Sequence, residues 1–176
     1  EVVQFFSGDG TIIDTEQINN YPDIREKLHV AIGKNTSSMF DEHHRVISGN
    51  ATDQALMKFL GEDSYLKMKE DPSLEIFASQ KFNSSNKFSQ AQIGGLTYYK
   101  CAPERLLQKA DRYMGTDGQL HPLDLSCINQ RIDTLAKKAM RVIAFGYSEE
   151  PLQENCISGN LVLIGLALSL IASANV

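Results

Sequence analysis

The chain has 176 residues, 42% hydrophobic and 22% charged, with 17 basic side chains against 22 acidic ones and a formal net charge of -5. That length and composition support one substantial core and argue against disorder, while the acidic balance argues against general nucleic-acid binding, which draws on a basic surface to displace counterions. The opening residues lack the charged, apolar and small-residue succession of a signal peptide, so the chain reads as a fragment without a targeting segment and as one domain over residues 1–176. Residues 1–6 read as an opening strand, and Asp9-Gly10 as a turn. Residues 21–32 carry Ile24, Leu28 and Ala31 at helical spacing, with Asp23 and Glu26 near the start, where acidic groups suit the helix dipole. Residues 45–48 form a short strand, after which Asn50 or Thr52 caps a helix carrying Ala55, Leu56, Phe59 and Leu60 on one face, ended by Gly61. Residues 62–72 are charged and poorly patterned, with Pro72 stopping any helix.

Alternation through Leu74, Ile76 and Ala78 predicts a strand, and Asn83-Ser84-Ser85-Asn86 is turn chemistry, which makes Phe82 and Lys87 the flanking pair of a hairpin. A second strand runs over residues 87–93, Gly94-Gly95 makes a two-residue turn, and a third strand runs over residues 96–101. Pairing Ile93 with Leu96 sets Ser89 opposite Lys100. Period-two alternation then projects Phe82, Lys87, Ser89 and Lys100 from one side, and Lys81, Phe88 and Tyr99 from the other. Pro103 stands at the first position of a helix running to about residue 114, with Leu106, Leu107 and Ala110 inward and Glu104 complementing the dipole. Beyond the Asp117-Gly118 turn, a helix over residues 124–140 presents Ile128, Ile132, Leu135 and Ala139 as a core stripe, with Lys137, Lys138 and Arg141 suiting its C-terminal end. A strand over residues 142–147, a loop over 149–159 and an apolar strand over 161–168 complete the chain. The expected architecture is α+β, a mostly antiparallel sheet flanked by helices. The uncharged stretch over residues 161–176 falls short of the roughly 20 apolar residues a membrane helix needs, so no direct membrane insertion of this chain is expected.

An aromatic plate beside two ammonium groups is what a purine nucleotide requires. The ring offers a stacking surface worth roughly 1–3 kcal/mol, and two lysines in one pocket repel each other unless an anion sits between them. The same spacing also suits a core phenylalanine with two solvated lysines. Gly33-Lys34-Asn35-Thr36 imitates the end of a P-loop, but the first glycine of that motif falls at Leu28, so the motif fails. Cys101, Cys127 and Cys156 have neither C-x-x-C spacing nor an even count, which suggests reduced thiols rather than a zinc site or a disulfide framework. His43-His44 reads as an exposed polar turn, and no metal-ligating set is assigned.

Lys100-Cys101-Ala102-Pro103-Glu104 resembles the KGAPE motif of P-type cation-transporting ATPases, and Phe82-Asn83-Ser84-Ser85-Asn86-Lys87 resembles the F-N-S-x-N-K stretch that precedes it. Residues 49–56 are similar to the family's G-[DE]-A-T-E-x-A-L, and residues 140–145 to its G-x-R-V-L-A-x-A. These motifs stand in the family's order and span most of the chain. The resemblance implies the nucleotide-binding domain of such a pump, of the calcium-transporting type or a related sodium or proton pump. Under it, Phe82 stacks on adenine, Lys87 and Lys100 line the pocket, Asp53 stands near the adenine amino group with Thr52 supporting it, and Arg141 reaches the phosphates. Three departures modify that picture: Cys101 replaces a glycine and adds bulk beside the pocket, Ser84 stands where many calcium pumps carry arginine, and Asp53 is one methylene shorter than the usual Glu. The D-K-T-G-T segment whose aspartate accepts phosphate is not in this sequence, so no catalytic residue is assigned here. The implied ligand is ATP, with Mg2+ in the full-length pump, and the implied partners are the pump's phosphorylation and actuator domains on the cytoplasmic side of the membrane. Two other classes compete with this one. A free-standing enzyme would use Asp53 or His44 as acid or base, and an interaction domain would not respond to nucleotide.

Overall fold

In the computed structural model, which describes residues 3–138 and 140–170, successive side chains decide the layering. Phe5 and Phe6, Tyr98 and Tyr99, Ala144 and Phe145, and Leu163 and Ile164 go to opposite hydrophobic clusters, as alternation along a strand requires. The sheet between the two clusters is built from short segments. In chain order the elements are β1 (Val3–Phe6), β2 (Ile12–Ile13), α1 (Pro22–Gly33), β3 (Met39–Phe40), β4 (Val46–Ile47), α2 (Ala51–Leu60) and α3 (Glu62–Glu70). They continue with β5 (Ala78–Gln80), β6 (Phe88–Ile93), β7 (Leu96–Cys101), α4 (Pro103–Leu107), β8 (Ala110–Met114), β9 (Leu120–Pro122), α5 (Leu125–Lys137), β10 (Met140–Ser148) and β11 (Leu161–Leu170). The main sheet runs β2-β1-β11-β10-β7-β6-β5 with antiparallel neighbours throughout, while β8 joins β11 in parallel and carries β9. Helices α1, α2 and α3 send Leu28, Leu56, Leu60 and Met68 into the cluster that holds Phe145. Leu106 of α4 and Ile128 and Leu135 of α5 cover the opposite face. The expected α+β class, with helices on a mostly antiparallel sheet, is the one observed.

Close approach at Gly165 locks the centre of this sheet. A methyl group there would overlap both the Phe5 ring and the Phe6 carbonyl of the neighbouring β1. Gly165→Ala is therefore expected to destabilise the domain by about 3 kcal/mol, as overpacking in a filled core does. Gly159→Ala, with nothing within 4 Å of the added carbon, should stay within about 0.5 kcal/mol of wild type. Chemical denaturation of the two variants side by side checks this.

Several expected elements differ. Residues 62–70 form the regular helix α3, which Met68 pins by burial while Gly61, at φ 85°, ends α2 and opens α3. The strand expected from Leu74 begins only at Ala78; Pro72–Leu74 is a single 3-10 turn, and Ile76 and Phe77 are exposed. The helix at Pro103 stops at Leu107, and its predicted continuation is β8. The reason is tertiary: β1 pairs with residues 166–169 of β11, leaving residues 161–163 of the same edge to β8. Ala110 stays inward, as expected, but as part of a strand. Arg141 does not terminate a helix, since it lies on β10. The expectations at Glu1, Val2, Ala139 and residues 171–176 fall outside the described residues. Among the described residues, no helix is long and apolar enough to cross a membrane.

Candidate functional site

Four remote stretches meet in one cleft of about 620 Å³, within the range of roughly 300–1,000 Å³ typical of small-molecule sites. The first is the start of α2. Gly49, at φ 74°, turns the chain out of the β3-β4 ribbon, and Asn50 caps the helix by accepting the Asp53 N–H at 2.8 Å. This cap sets Thr52 and Asp53 in the first turn, at the cleft wall.

The β6-β7 hairpin supplies the second wall, and its register is the one read from the sequence: Ile93 pairs with Leu96 and Ser89 with Lys100. Lys100 reaches across to Asp53, Nζ to Oδ1 at 2.6 Å, in a pair whose side chains are only 8% and 11% exposed. The repulsion expected between two lysines is therefore relieved from within: Asp53 takes Lys100, and Glu104 lies 3.8 Å from Lys87. This pairing joins residues 47 positions apart, which no local pattern announces.

The loop between β5 and β6 brings the aromatic ring. Here the expected hairpin pairing of Phe82 with Lys87 is not formed. The β5-β6 ladder pairs Gln80 with Gln90, a register that, continued regularly, would set Phe82 opposite Phe88 on the wrong face. The chain leaves the ladder instead, and Lys87 takes a left-handed conformation at φ 59°, which is unfavourable for a residue with a Cβ. That conformation is held at both ends. The Lys87 N–H donates to the Asn83 carbonyl, and the Lys87 carbonyl accepts the Ala102 N–H, both at 2.9 Å. Phe82, Ser84 and Lys87 consequently line the cleft after all, and Phe82 is 49% exposed. Lys81, expected on the opposite face, lines an adjoining cavity with Ser89 and Lys100.

The fourth stretch is the start of β10, where Arg141 donates from Nη1 to Thr52 Oγ1 at 2.9 Å and Val142 and Ile143 add apolar wall. Seven of the eight sequence-predicted site residues thus converge: Thr52, Asp53, Phe82, Ser84, Lys87, Lys100 and Arg141. Cys101 does not. As the neighbour of Lys100 on a strand it points to the other face, buried among Phe88, Tyr99 and Leu106, where desolvation pushes its thiol up from the usual range. Sequence reading missed Asn50, Glu104, Val142 and Ile143. Alternation along a strand through Arg141 would have flagged the last of these.

The adjoining cavity, of about 200 Å³, shares Asp53, Phe82 and Lys100 with the cleft. Asn35 lies at its wall with its Nδ2 committed to the Ala31 and Tyr98 carbonyls. Asn35 Oδ1 and Ser89 Oγ are buried without a hydrogen-bond partner, so a polar group entering there meets one acceptor and one hydroxyl. His43 and His44 lie in an exposed turn, as expected. Among the described residues, no group of three or more His, Cys, Asp or Glu side chains is placed to hold a metal ion.

A helix-flanked antiparallel sheet thus carries a cleft that joins a half-exposed ring to three cationic side chains. The chain belongs to the family described as P-type ATPase, cytoplasmic domain N, which matches residues 24–168; it is a nucleotide-binding N domain of a P-type ATPase. It is 27% identical over 166 residues to "Calcium-transporting ATPase 1" of Saccharomyces cerevisiae, an alignment covering 85% of this chain and 17% of that protein. It is 36% identical over 72 residues to "Probable cation-transporting ATPase F" of Mycobacterium tuberculosis, covering 38% of this chain and 8% of the relative. The chain therefore spans less than a fifth of the length of either protein.

Proposed function

We propose that this chain is the ATP-binding part of a larger cation-transporting pump, holding ATP so that its terminal phosphate is presented to an aspartate on a separate phosphorylation domain. The observation that carries this reading is the half-exposed Phe82 ring set in a cleft with Lys87, Lys100 and Arg141. Adenine stacks on Phe82. Asp53 shares its carboxylate between Lys100 and the base amino group, and Thr52 orients the Arg141 guanidinium. Lys87, Ser84 and Arg141 serve the phosphate end, while Cys101 backs the wall from the core side and touches no ligand. The contribution to the pump's chemistry is positioning and charge alignment of a group whose transfer needs little else from the protein.

Mg2+ enters with ATP as part of the substrate. The isolated chain binds ATP without turning it over, because the phosphate-accepting D-K-T-G-T segment is not in this sequence. Its partners are the phosphorylation and actuator domains of the same pump, and its place is the cytoplasmic side of the membrane. Calcium is the transported ion favoured by the name of the yeast relative.

Amide NMR titration tests the reading. ATP at millimolar concentration or below should shift resonances near Phe82, Lys87 and Lys100, and adenosine should retain much of the effect. Lys87→Ala should weaken ATP by about fivefold, the loss of one cation from a phosphate site, while adenosine stays within about twofold. A spectrum unchanged by either ligand would leave the interaction-domain reading in its place.

A further inference from the structure

Resting on the nucleotide reading above, we propose that Glu104 is a charge filter on the ligand: it competes with the phosphates for Lys87 and so favours the cation-complexed nucleotide over free ATP. The two ion pairs of the cleft differ in kind. Asp53–Lys100 is short and buried, whereas Glu104 Oε1 stands 3.8 Å from Lys87 Nζ with side chains 61% and 57% exposed. A buried pair cannot exchange partners without stranding a charge. An exposed one is worth at most about 1 kcal/mol and exchanges readily. Arg141 is held by the Thr52 hydroxyl and meets no carboxylate among the described residues.

Lys87 is thus the cation whose availability depends on the ligand, and Glu104 is the group that sets the terms. Setting Asp53 and Glu104 against Lys87, Lys100 and Arg141 leaves the cleft a single net positive charge. For a site that only had to bind polyanions, a carboxylate at this position lowers affinity and does nothing else. It becomes useful when two forms of one ligand differ in charge. Free ATP carries about twice the net negative charge of its magnesium complex, so repulsion from Glu104 weighs correspondingly more on the free form. A purely structural role for Glu104, as the acidic residue in the first turn of α4, would be blind to ligand charge.

The test is calorimetric binding of adenosine, free ATP in chelator and Mg2+-ATP to wild type and Glu104→Gln. The expected result is about fivefold tighter free ATP, about twofold tighter Mg2+-ATP and unchanged adenosine, with the free-ATP gain shrinking as salt is raised. Glu104→Asp should keep the wild-type preference. Unchanged adenosine affinity also shows that the cleft of the variant is intact. An equal gain for both ATP forms, or no gain for either, overturns the filter while leaving the nucleotide site standing. If wild type binds none of the three ligands, the nucleotide reading itself fails and the filter falls with it.

Discussion

Phe82→Ala should weaken ATP and adenosine alike, by about 5- to 150-fold, which is what losing a stacking surface worth roughly 1–3 kcal/mol amounts to. Phe82 is 49% exposed and belongs to neither hydrophobic cluster, so the folded domain should not depend on it. Unfolding free energy within about 0.5 kcal/mol of wild type is the accompanying expectation. Fluorescence or calorimetric titration with both ligands, together with a urea melt, reads both quantities. The parallel loss for the two ligands is the informative part, because adenosine has no phosphates. A variant that lost ATP but kept adenosine would assign the ring a role other than stacking.

The second large effect is on stability. Asp53→Ala leaves the Lys100 ammonium buried without its partner, and Lys100→Met does the same to the Asp53 carboxylate. Either change should cost about 3–5 kcal/mol, the usual penalty for stranding a buried charge. Asp53→Ala combined with Lys100→Met removes both charges and should recover most of that loss, because the penalty comes from the unpaired charge. Denaturant midpoints for the two single variants and the double variant complete the cycle. Additive losses would sink this account of the pair. They would mean that each side chain is anchored separately, by packing alone.

How much of this was legible in the sequence differed from element to element, for physical reasons. The β6-β7 hairpin was read in its correct register because a two-residue Gly-Gly turn leaves little freedom and alternation does the rest. The connection from β5 to β6 is longer and carries Lys87 in a left-handed conformation that lysine does not advertise, so the predicted pairing failed even though both flanking side chains reached the cleft. The segment after Leu107 has apolar spacing compatible with helix or strand, and an open stretch of β11 edge decided for strand. Arg141 was read as a helix-end charge for a similar reason: the helix before it ends at Lys137, and β10 begins at Met140. The Asp53–Lys100 pair was invisible because it joins the two faces of a space that exists only in three dimensions. Family resemblance nonetheless brought seven of eight site residues to one place, because motifs carry tertiary information that local periodicity does not.

The cleft walls come from the α2 start, the β5-β6 loop, the end of β7 with the start of α4, and the first residues of β10. No contiguous piece of the chain holds more than a part of them, so a partly unfolded form that releases any one stretch also releases the ligand. On the proposed function, nucleotide would therefore brace the complete tertiary assembly: at a hundredfold excess over its dissociation constant it would add about 2.7 kcal/mol to global unfolding. A domain with ligand in this cleft would, on this arrangement, be sturdier than the same polypeptide standing alone.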